Sequence, residues 1–123
     1  MSTRDVPQET TVHGVVVLPP GELPAEAAEL VVQVEDVSRA DAPSTVIGEQ
    51  RLSRVPLSPG SAIPFALDVP AGLVESGHSY SVRAHVDVSG SGEVEVGDLV
   101  STQSHPVLTE GPGGELQVRV QRV

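Results

Sequence analysis

A chain of 123 residues with a formal net charge of −10, one Phe, one Tyr, no Trp and no Cys has room for one domain with an aliphatic core. The negative charge excludes a phosphate-binding surface, and with it nucleic acid and anionic membranes as partners. The missing cysteine excludes disulfides, thiolate catalysis, Cys-ligated zinc and lipidation at Cys.

Residues 1–10 are polar and read as a flexible segment ahead of a single domain over 11–123. They lack the apolar stretch of a signal peptide, so cytoplasmic residence is expected; the alternative is a periplasmic or cell-envelope protein whose leader has been removed. A first strand is expected over Thr11–Leu18 and is stopped by Pro19-Pro20-Gly21, because two prolines cannot remain in a ladder. Pro24–Ala28 is the first place for a helical turn. Leu30–Val37 follows as a strand, with Gln33 and Glu35 turned outward. Val46–Leu52 is shorter and contains Gly48, the mark of a bulge or a close approach.

Ile63–Val69 alternates without error, Ile63, Phe65, Leu67 and Val69 facing one way. Pro64 has no N–H to give a ladder, which puts this strand at an edge or breaks it there. Ala71–Glu75 is a second place for a helical turn. Tyr80–Val88 is the clearest strand: Tyr80, Val82, Ala84, Val86 and Val88 face the core, while Arg83, His85 and Asp87 face water. Gly90-Ser91-Gly92 makes a tip, Val94–Thr102 is a strand interrupted at Gly97-Asp98, and Gly111 to Gly114 turns the chain into Leu116–Gln121. Strands of this length with turn signals between them indicate an all-β fold, an antiparallel β-sandwich of about seven short strands, immunoglobulin-like or transthyretin-like in general architecture. A small barrel is the alternative.

Chemistry is sparse. His85 and Asp87 are neighbours on one strand face, but two ligands do not make a metal site, and no third stands at a recognisable spacing. Glu93, Glu95 and Asp98 lack the ligand density of a calcium loop and read as a solvated face. No Gly-x-Ser-x-Gly elbow is present, and no glycine-rich phosphate loop precedes a helix. No catalytic residue, metal or cofactor is expected. The segment Asp36-Val37-Ser38-Arg39-Ala40-Asp41-Ala42-Pro43 is more specific, since Asp and Ser side chains fold back on nearby backbone N–H groups. It is expected to be an ordered, self-capped loop whose Asp36, Ser38, Arg39 and Asp41 are the candidate partner contacts.

The stretch from Leu30 to Pro43 resembles the signature of the YbaY/YscW-type lipoproteins, which include pilotins of type III secretion. Leu18-Pro19-Pro20-Gly21, Ile63-Pro64-Phe65, Gly77 to Ala84 and His105 to Thr109 follow in family order, so the resemblance spans about residues 12–122. It implies a β-sandwich without enzymatic activity, usually tethered to a bacterial outer membrane by a lipidated Cys. In pilotin members it implies help in assembling a secretin ring. The expected function is a non-catalytic binding or assembly module with an unidentified protein partner, acting through a strand edge or the loop after Val37, and without membrane insertion. Two other readings are a small enzyme or metal-dependent protein centred on His85 and Asp87, and a structural domain of a larger assembly. Oligomeric state is left open by the sequence.

Overall fold

The computed structural model describes residues 9–38, 43–75, 77–101, 106–107 and 116–123. Eight strands lie among them: β1 Glu9–Val17, β2 Glu26–Asp36, β3 Thr45–Pro56, β4 Ala62–Pro70, β5 Tyr80–Asp87, β6 Leu99–Ser101, β7 Pro106–Val107 and β8 Leu116–Arg122. Only a 3₁₀ turn at Ala71–Leu73 interrupts the β pattern among the described residues. It falls in the second place expected for a helical turn. The first, Pro24–Ala28, is overturned. β2 begins at Glu26, where Ala27 is wholly buried opposite Val55 and the Leu57 N–H donates to the Ala25 carbonyl. Pairing with β3 across a long hairpin outweighs the local preference of Ala and Glu for helix.

The all-β class holds, but the expected seven-stranded sandwich gives way to a near-closed sheet of eight strands, nearer the small barrel given as the alternative. Hydrogen-bonded pairing runs in one path, β3-β2-β5-β6-β8-β1-β4, with β7 paired to β5. Two layers become one nearly closed sheet because β8 turns a corner: Leu116 to Arg119 pair with β1, and Val120 to Arg122 pair with β6. The β1–β8 ladder is parallel, the rest antiparallel. Gly14 permits the contact, since a Cβ there would lie 2.8 Å from the Leu116 amide nitrogen and closer still to its carbonyl oxygen.

The two end strands, β3 and β4, meet through side chains. A Cβ on Gly48 would fall 2.8 Å from Leu67 Cδ1, so the glycine marks a close approach, as its place in the strand suggests. Beside it the register shifts by one residue, Val34 facing Gly48 and Glu35 facing Val46, which leaves Ile47 as the extra residue of a bulge. From β3, Gln50 Oε1 accepts the Ala66 N–H of β4 at 3.0 Å. Pro64 has the same parity as Ala66, so its nitrogen faces this seam and takes nothing from the β1–β4 ladder. The edge placement inferred from proline holds.

Inside, valine and leucine dominate: Val16, Leu30, Val32, Val34, Val86 and Leu99 have no exposed surface. Tyr80, Val82, Ala84 and Val86 face inward as their alternation requires, whereas Val88 lies beyond the end of β5 and is half-buried. Phe65 is buried with them. Tyr80 is buried too, and its hydroxyl accepts the Glu75 N–H at 2.7 Å, which fastens the segment before β5 to the barrel.

Candidate functional site

β2 and β5 run antiparallel, with Asp36 opposite Tyr80 at one end and Glu29 opposite Asp87 at the other. Carboxylates organise both ends. At the first, Asp36 Oδ1 accepts the Ser38 N–H at 3.0 Å and the Ser38 hydroxyl at 2.6 Å, and Asp36 Oδ2 lies 2.7 Å from His78 Nδ1. Ser38 Oγ in turn accepts the Ser79 N–H at 2.8 Å, and the Val37 N–H donates to the Ser79 carbonyl. The Ser38 hydroxyl, the His78 ring and the Ser38 N–H hold the Asp36 carboxyl at about 2, well below its ordinary 3.8. Asp36 and Ser38 therefore sew the chain leaving β2 to the chain entering β5. Arg39 and Asp41, the other candidate partner contacts, lie outside the described residues.

The second end corrects the sequence reading. Asp87 does lie on the strand face opposite the core, yet it is 1% exposed, and Asp98 is 2% exposed. The chain from Val88 to Asp98 folds back over the Asp87 end of that face and removes water from Asp87. Asp87 accepts the Gly90 and Gly92 N–H groups at 2.9 and 2.8 Å, one on each oxygen. Both glycines have positive φ, the conformation that aims these amides back at the strand end. Asp98 accepts the Val88 and Glu95 N–H groups at 3.0 Å each and stands 2.9 Å from His85 Nε2. Burial by itself pushes the Asp98 carboxyl upward; the bonds from His85, Glu95 and Val88 outweigh it and hold the group below its ordinary value.

His85, Asp87 and Asp98 place ligand atoms within 4.8 Å of one another. Asp98 is thus the third group that spacing along the chain did not suggest. The arrangement nonetheless acts as a loop anchor, because the carboxylate oxygens already accept four backbone N–H groups and the imidazole. Asp36, Glu75 and His78 form a second such group at the opposite end, with Asp36 engaged as described.

Between the anchored loop and the outer face of β2, β3 and β5 lies a cleft of about 250 Å³, lined in part by Val31, Gln33, Arg51, Arg83, His85 and Val94. Arg51 spans Glu29 at 2.7 Å and Glu49 at 2.9 Å. Gln33 donates to Glu49 at 2.7 Å, and with Arg51 it holds that carboxyl below its ordinary value. Val94 in this lining is 47% exposed, and Val96 on the same loop is 91% exposed.

The chain is a nearly closed β-barrel with anchored loops and a cleft on its outer face. The chain matches the family described as type III secretion system lipoprotein chaperone (YscW) over residues 7–120, and it belongs to that family. It is also similar in fold to a solved structure of an alternative pilotin from the type II secretion system of Vibrio cholerae. That similarity has a TM-score of 0.70 and 23% identity, over 94% of this chain and 100% of the other. No curated protein sequence matches it at a significant level.

Proposed function

We propose that the protein is a non-catalytic chaperone that holds another protein while a bacterial secretion machine assembles, a secretin subunit being the partner best suited to the family. Membership of the lipoprotein chaperone family across nearly the whole chain carries this reading. The fold shared with a pilotin supports it. So does the use of the polar clusters, whose carboxylates accept backbone amides and tie loops to the strand ends. Within the cleft, the two-layer origin of the sheet provides an outer face on which a partner can rest without disturbing the core.

The test is reconstitution in the source bacterium. Deleting the gene should lower the amount of assembled, heat-resistant secretin multimer, and the purified protein should bind the isolated secretin subunit in a titration. Unchanged multimer together with no measurable binding would sink the reading.

A further inference from the structure

We propose that the cleft under the 88–98 loop is the docking site for a partner segment made of aliphatic residues around a single carboxylate, and that Arg83 is the residue that receives the carboxylate. The proposal rests on the reading of the protein as a binding module and names the surface that does the binding.

Charge assigns the occupant. Around the cleft, Glu29 and Glu49 are paired with Arg51, Asp87 is bonded through both oxygens to Gly90 and Gly92, and His85 is bonded to Asp98. Arg83 differs. It projects from β5 beside Gln33, whose amide is turned to Glu49 on the far side, and it makes no ion pair or side-chain hydrogen bond among the described residues. One guanidinium is left with its donors unused, in a lining whose other charges are satisfied internally. A planar fork of donors suits a carboxylate in two-point contact.

The surroundings fix the rest of the segment. Val31 and Val94 line the same cleft, and Val96 is exposed two residues further along the same loop, so apolar surface lies beside the guanidinium. Exposed valines held on an anchored loop need little ordering when a partner arrives. A long acidic run is disfavoured, because Glu29 lines the cleft, Glu49 is paired with its Arg51, and the chain carries a net charge of −10. One carboxylate set among Leu, Ile or Val side chains satisfies both conditions.

The probe is a random-peptide library displayed on phage, selected on the full chain and followed by titration of the enriched peptides. The expected consensus holds one Asp or Glu flanked by aliphatic residues. Arg83→Ala should weaken those peptides by roughly tenfold, as expected for loss of a charge-assisted bond. Val94→Ser should weaken them as well. Arg119→Ala, which removes the same charge from an exposed position on β8, should leave affinity nearly unchanged. A consensus without an acid, equal binding to wild type and Arg83→Ala, or no enriched peptide at all would overturn the proposal. Secretin binding that persists through Arg83→Ala and Val94→Ser would then leave the chaperone reading intact and remove only the cleft.

Discussion

Asp36 at one end of the β2–β5 pair and Asp87 with Asp98 at the other perform the same task in different surroundings. Each carboxylate collects N–H groups from a chain segment that would otherwise leave the barrel. Asp36 does so near water, its side chain 20% exposed, with His78 as a further partner. Asp87 and Asp98 do so out of water, at 1% and 2% exposure. The difference teaches that the bond list alone does not set the energetic weight of an anchor. When an exposed anchor is removed, water replaces it; when a buried one is removed, the donors it served are left unsatisfied.

The largest effect should come from Asp98→Ala. The Val88 and Glu95 N–H groups and His85 would lose their acceptor at a nearly water-free site, at a cost of about 2–4 kcal/mol in chemical denaturation. Asp87→Ala serves fewer donors and should cost about 1–3 kcal/mol. It should also speed hydrogen exchange at the Gly90 and Gly92 amides selectively, because only those two bonds are lost. If Asp36→Ala destabilised the chain as much as Asp98→Ala, burial would not be what separates the two ends.

Acid sharpens the comparison. The folded-state values of Asp36 and Asp98 both lie below the ordinary carboxylate value, so the unfolded chain binds protons more readily. Their contribution is fully present above about pH 4 and is lost as pH falls through the folded-state values. Carboxyl chemical shifts should show Asp36 titrating at about 2 and Asp98 below 3.8. The smallest effect should be that of Asp36→Ala on overall stability, with a local loosening of the Ser38 and Ser79 amides visible in hydrogen exchange.

The same contrast explains what could be read from the sequence. Asp36 and Ser38 are two residues apart, so their bond is a local event that residue type alone suggests. Asp87 was assigned to water by strand parity, and parity placed its face correctly. What parity cannot show is a later segment returning to cover that face. A local sign was present: Gly90 and Gly92 stand three and five residues beyond Asp87, spaced to present amides to it. Asp98 had no such sign, since its partners come from β5 and from the loop it closes. The inward alternation of β4 and of Tyr80 to Val86 was legible because one face of each meets only the core. The nearly closed barrel was not, because it depends on β8 dividing its pairing between β1 and β6, and β6 has only three residues.

That division has a kinetic consequence. Gly14 and Leu116 are neighbours across a parallel ladder although nearly the entire chain separates them. Closing so long a loop is entropically unfavourable and comes late in folding, which places this protein among slow, high-contact-order folds. Until β8 arrives, β1 presents an unpaired edge along its far side and β6 has no second partner. During that interval a stray strand can pair with β1 where β8 belongs, so association of unfinished chains should depend on concentration and follow the lifetime of the open edge. Once Leu116 to Arg122 settle into place the competing edge no longer exists, and a short seven-residue strand sets how long the chain is at risk.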